Sequence, residues 1–116
     1  MDRLVNTTKN TVLATSVEVA DGFFERSRGL LGRDCLEKGK TLWIHNSYNS
    51  VHTFFMRFSL DLIFVDKNMI VRTIKTDVPP GRLIFAHWKS LSVFEMASGQ
   101  LNTSNIEKGD ELRVGS

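Results

Sequence analysis

Short β-favouring runs, cut every few residues by turn formers, fill most of this chain and constrain its fold more than any other feature. Leu60 to Asp66 and Met69 to Thr76 are two such runs. Between them Asp66-Lys67-Asn68 supplies turn chemistry, since Asp favours the first position of a turn and Asn tolerates positive φ, so the pair is predicted to be a hairpin. Thr11 to Ala20, Thr41 to Asn46, Val51 to Arg57, Leu91 to Ala97 and Glu111 to Val114 read as further strands, rich in β-branched and aromatic residues. Val78-Pro79-Pro80-Gly81 ends the strand before it, because neither proline can donate to a ladder. The connections look too short for helical crossovers. The expectation is therefore a mostly β fold, an antiparallel β-sandwich or flattened barrel.

One segment departs from this pattern. Asp21 is a good N-cap, and Phe23, Phe24, Ser27, Leu30 and Leu31 share one side of a helix, which predicts a single short α-helix over residues 22–33 near the N-terminus. Arg28 falls one turn after Phe24 and should reach toward the sheet. Residues 1–10 are polar and aperiodic and are expected to form a flexible arm, leaving residues 11–116 as one β-rich domain. A chain of 116 residues with 41% hydrophobic content suits a single core.

Charge and cysteine content narrow the function classes. A formal charge of +2 is too small for the clustered basic face that nucleic-acid binding needs, so no such partner is expected. The single cysteine, Cys35, allows no internal disulfide, and three scattered histidines, His45, His52 and His87, show no ligand spacing. Neither a metal nor another cofactor is expected. The first residues lack the apolar core of a signal peptide and no run reaches membrane-spanning length, which predicts a cytoplasmic protein without a membrane partner. Walker, dinucleotide and Gly-x-Ser-x-Gly motifs do not occur.

Three runs carry a resemblance: Glu25 to Arg33 (ERSRGLLGR), His52 to Asp66 (HTFFMRFSLDLIFVD) and Val93 to Gly99 (VFEMASG), followed by Gly109-Asp110. In this order they resemble the bacterial and archaeal family catalogued as domain of unknown function 192, over residues 17 to 114. The resemblance implies a compact sandwich of jelly-roll type with little helix, and it implies no activity, cofactor or catalytic residue. Ser59 stands where the family usually has proline, a difference that bears on the rigidity of that turn.

The residues best suited to chemistry are carboxylates on apolar faces. Asp61 alternates with Ile63 and Val65, and Glu95 with Leu91 and Val93, so a charge at either place must be paired or neutralised. Arg28 and Arg57 are the available cations, and His52 lies on the side of Phe54 and Met56. These five, Arg28, His52, Arg57, Asp61 and Glu95, form the candidate ligand site. Three readings follow from it: a non-enzymatic module binding a small polar ligand such as a carbohydrate, an enzyme using Asp61 or Glu95 as acid or base, or an interaction module with a protein partner.

Overall fold

The computed structural model describes residues 2–21, 37–45, 50–52 and 58–115. These carry the strands β1 (Arg3–Asn6), β2 (Thr11–Ala14), β3 (Ser16–Asp21), β4 (Lys40–His45), β5 (Ser50–His52), β6 (Leu60–Val65), β7 (Val71–Val78), β8 (Leu83–Phe85), β9 (Ser92–Ala97) and β10 (Leu112–Gly115). They assemble into a five-stranded sheet in the order β3-β4-β9-β6-β7, a three-stranded sheet β10-β1-β2 and a two-stranded ribbon β5-β8. The fold is mostly β, the described strands close no barrel, and none of the described residues is helical. The helix predicted over 22–33 lies outside the described residues.

Burial explains the layering. Every residue of β6 is buried, and β9 is buried from Ser92 to Met96, so the middle of the large sheet is covered on both faces. On one face Ile63, Val65, Phe94 and Met96 meet Leu4, Leu13, Ala14 and Leu112 of the three-stranded sheet. On the other, Leu42, Ile44, Leu62, Phe64 and Val93 form a second cluster, against which Phe58, Ile84 and Ala86 pack. Ile84 belongs to β8, so the ribbon lies over this second face. Each fully buried Leu, Ile or Phe contributes about 1.5–3 kcal/mol through water removal, which makes the two-faced sheet the main source of stability.

Several expectations change. The stretch expected as a loose arm carries a strand: β1 pairs with both β2 and β10, and Leu4 and Asn6 are fully buried. Its four residues are too few, and too polar, to show a period. Thr11 to Ala20 is two strands, broken at Thr15, where the N–H groups of Thr15 and Ser16 both donate to Gly39 O at 2.7 and 3.2 Å. Pairing is not wholly antiparallel either, because β3 runs parallel to β4 from Ser16↔Lys40 to Asp21↔His45. A parallel neighbour needs a long connection, and the chain between Asp21 and Lys40, with the helix-patterned stretch inside it, is long enough to provide one. β8 has no counterpart among the predicted strands.

The β6–β7 hairpin forms as predicted, closed by Met69 N–H donating to Asp66 O at 3.0 Å. The left-handed residue, however, is Met69 (φ 63°) and not Asn68. At the other end of the hairpin the pairing slips between Leu60↔Val78 and Leu62↔Lys75, so that Thr76 and Asp77 bulge opposite Asp61. Asp77 takes φ 53° there. Left-handed backbone is unfavourable for a residue with a side chain and has to be held by its surroundings.

Candidate functional site

The large sheet separates the two carboxylates expected to share a cleft. Asp61 is opposite Met96 and Leu62 is opposite Glu95, so Asp61 and Glu95 point to opposite faces. Both are fully buried. Asp61 is an acceptor for three main-chain donors: Oδ1 receives Asp77 N–H at 2.9 Å, and Oδ2 receives Gly99 N–H and Leu101 N–H, each at 3.1 Å. It pins the bulge of β7 and the turn after β9 to the middle of the sheet. Glu95 lies between Leu42 and Leu62 on the face that the β5–β8 ribbon covers. His52 ends β5, opposite Leu83. Arg28 and Arg57 lie outside the described residues.

A cleft with charged walls lies elsewhere, beside the β6–β7 hairpin. It has a volume of about 410 Å³ and is lined by Asp66, Lys67, Asn68, Arg72, Trp88, Lys89 and Leu91. Two parts of the chain build it. Asp66 organises the hairpin end: Oδ1 accepts Asn68 N–H at 2.8 Å and Ile70 N–H at 3.1 Å, while Oδ2 accepts Arg72 Nε–H at 2.7 Å. The loop after β8 is fixed against it by Leu91 N–H donating to Val65 O at 2.8 Å and His87 N–H donating to Thr73 Oγ1 at 3.0 Å. On that loop Trp88 is 74% exposed, an unusual position for the largest apolar ring among the side chains. The His87 ring stacks on it at 5.7 Å with a 22° interplanar angle, and Lys89 Nζ stands 5.2 Å from the indole centroid.

The charge balance of the cleft is three cations, Lys67, Arg72 and Lys89, against one carboxylate. That carboxylate stays ionised. Burial acts to raise the Asp66 pKa, but the Ile70 N–H, the Arg72 guanidinium and the Asn68 N–H together outweigh it and hold it below the usual carboxylate range. A lowered folded pKa means that the stability Asp66 supplies is fully present above the unfolded value of about 3.9 and is lost as pH falls through the folded value. Asp66→Asn keeps an oxygen for the two N–H donors and loses the ionic partner of Arg72. Urea midpoints followed from pH 6 downward should therefore fall less steeply for Asp66→Asn than for the wild-type chain, and parallel acid limbs would contradict this assignment.

A second cavity, about 360 Å³, is bounded by Ile74, Thr76, Leu101, Asn102, Thr103, Asn105 and Ile106 and holds no charged side chain. Among the described residues no three of His, Cys, Asp and Glu come together as a metal-binding group. No described helix is long and apolar enough to cross a membrane. The sequence reading missed the Trp88 cleft because its walls are two separate stretches, 66–72 and 88–91. The available signal was the sequence His87-Trp88-Lys89, a large ring set in a polar loop without an alternating partner.

Comparison with known proteins places these features in a family context. The domain of unknown function 192 (DUF192, Uncharacterized ACR) matches residues 4–114. A UPF0127 protein of Thermococcus sibiricus is 31% identical over 112 residues, covering 94% of this chain and 72% of that protein. A UPF0127 protein of Pyrococcus horikoshii is 29% identical over 116 residues, covering 95% of this chain and 96% of its own. Two crystal structures share the fold. One, from Sinorhizobium meliloti and solved as "a putative transcription regulator", has a TM-score of 0.80 at 20% identity, covering 97% and 91% of the two chains. The other, a protein of unknown function from Novosphingobium aromaticivorans, has a TM-score of 0.79 at 22% identity, covering 97% and 82%.

Proposed function

The chain belongs to the domain of unknown function 192 family, which brings no assigned activity with it, and from that premise we propose that it is a non-enzymatic module that binds a small polar ligand. The observation that carries this reading is the cleft of about 410 Å³ with the exposed Trp88 in its wall. Its volume falls within the range typical of small-molecule sites, and it combines an apolar surface with a few polar groups that can fix orientation. Three cations around it favour an acidic ligand over the neutral carbohydrate suggested by the sequence. A catalytic role for Asp61 has little support, because its oxygens already serve three main-chain donors. Glu95, with Arg28, His52 and Arg57, is proposed as a separate polar set on the ribbon-covered face, and residues 22–33 are proposed as the helix of a jelly-roll-type sandwich.

The test is intrinsic fluorescence. The chain has two tryptophans, and Trp43 is the half-buried one, stacked on Phe94 at 5.2 Å and donating from Nε1 to Ser92 Oγ at 3.1 Å. In a Trp43→Phe background, inorganic phosphate added at low ionic strength should change Trp88 emission in a saturable way. The Lys67→Glu/Lys89→Glu pair should abolish that change without moving the urea midpoint, since both side chains are exposed. A flat titration through millimolar phosphate, or one indifferent to the charge reversal, would refute the reading.

A further inference from the structure

We infer that the ligand of the Trp88 cleft carries a flat aromatic ring as well as its phosphate, and is in chemical class a mononucleotide. The inference rests on the binding reading above and narrows it. A site for a bare anion needs only the cations, whereas this cleft sets a ring surface beside them. His87 and Trp88 lie nearly parallel, 22° apart, and form a two-ring shelf. That shelf is held in place: Thr73 Oγ1 accepts the His87 N–H at 3.0 Å, and His87 Nδ1 accepts the Lys89 N–H at 3.1 Å. Even with His87 and Lys89 against it, the indole remains 74% exposed. A large ring kept in water on a rigid support loses little entropy when a second ring stacks on it, and every base has a face that can do so.

The polar side of the cleft suits the rest of such a molecule. Arg72 is only part-exposed, and its Nε is committed to Asp66 at 2.7 Å, which fixes the plane of the guanidinium and leaves its two terminal nitrogens without a described protein partner. A guanidinium oriented in this way is a good phosphate ligand because its donors match the phosphate oxygens in geometry. Lys89 already stands at the indole, 5.2 Å from its centroid, so one ammonium can serve a ring and a nearby phosphate together. Lys67, exposed on the turn, adds to the field, and the Asn68 amide offers both a donor and an acceptor for the edge of a base.

The experiment uses the full chain carrying Trp43→Phe and four probes: AMP, ribose 5-phosphate, adenosine and inorganic phosphate. AMP should bind about tenfold or more tightly than ribose 5-phosphate and adenosine, because it alone engages both halves of the cleft. Calorimetry on Trp88→Ala should then show AMP reduced to the level of ribose 5-phosphate, with ribose 5-phosphate itself unchanged. Lys67→Glu/Lys89→Glu should weaken both phosphates by a larger factor than adenosine. Equal binding of AMP, ribose 5-phosphate and inorganic phosphate would overturn the ring inference while leaving the binding module intact. Adenosine binding as tightly as AMP would overturn it from the other side. If none of the four probes binds, the ring inference and the reading beneath it fail together.

Discussion

Asp61→Ala should destabilise the protein by about 3–5 kcal/mol, with little change in the denaturant slope. The estimate follows from what the substitution leaves behind. The N–H groups of Asp77, Gly99 and Leu101 all donate to this one carboxylate, and alanine offers none of them an acceptor. An unsatisfied buried donor costs about 1–3 kcal/mol. The Leu101 bond is buried and should be charged near the upper end, while the other two are part-buried and can recruit water. Asp77 adds to the cost, because its left-handed backbone, φ 53°, is held by the bond to Asp61 and by Ser98 Oγ–H donating to its Oδ1 at 2.6 Å. Asp61→Asn keeps one oxygen and turns an amide toward the remaining donors, so it should fall between wild type and alanine. Against a typical domain stability of 5–15 kcal/mol this is a large share, and urea denaturation of the three proteins reads it directly. A loss below about 1 kcal/mol for Asp61→Ala would show that the three bonds do not hold the bulge and the turn.

The second large effect should come from the junction of the first and last strands. Asn6, fully buried, donates from Nδ2 to Asp110 Oδ2 at 2.8 Å, and its own Oδ1 accepts the Lys9 N–H at 3.0 Å. The same Asp110 oxygen accepts Glu107 N–H at 2.9 Å and lies 3.1 Å from Lys9 Nζ. Asp110→Ala leaves the Asn6 amide and the Glu107 N–H without their acceptor and should cost about 2–4 kcal/mol. Lys9 keeps Glu107 Oε1 at 2.9 Å and Asn105 O at 3.0 Å, so its loss is minor. Asn6→Ala combined with Asp110→Ala should cost clearly less than the sum of the two, since each single change strands the other's partner. Additive costs would mean that the two side chains do not act as a pair. Burial acts to raise the Asp110 pKa, but Asn6, the Glu107 N–H and Lys9 outweigh it and hold it below the ordinary range. Its contribution is thus complete above the unfolded carboxylate pKa and disappears as pH falls through the folded one, so the Asp110→Ala penalty should shrink in acid.

The sequence made parity within a strand legible and parity between strands illegible. Period two placed Asp61 beside Ile63 and Val65, and Glu95 beside Val93, and both carboxylates are fully buried. Whether they meet depends on how β6 and β9 align. A slip of one residue would have put them on one face, and nothing local specifies that register. The hairpin at Asp66 was readable because its turn lies between two runs and its bonds span few residues. β1 was not, because Asn6 resembles a loop residue until Asp110, distant in sequence, accepts its amide. The parallel β3–β4 pair was hidden for a related reason: the connections between the β-favouring runs look too short for crossovers, and no local signal pairs Ser16 with Lys40. The Trp88 cleft depends on a loop returning to the hairpin, a contact sealed by Leu91 N–H on Val65 O at 2.8 Å.

The pairing of β1 with β10, from Arg3↔Gly115 to Asn6↔Leu112, sets an order on how this domain can close during its synthesis. β1 is made before β2 and finds it at once, a few residues away. Its other edge stays open until residues 112–115 have emerged, and with it the side of the core where Leu112 joins Leu4, Ile63 and Phe94. A nascent chain that stalls before residue 112 therefore presents an unpaired strand edge over exposed apolar side chains, the combination that recruits other strands. Residues 112–115 act as a latch on β1, and until they close it the growing protein depends on whatever shields that edge.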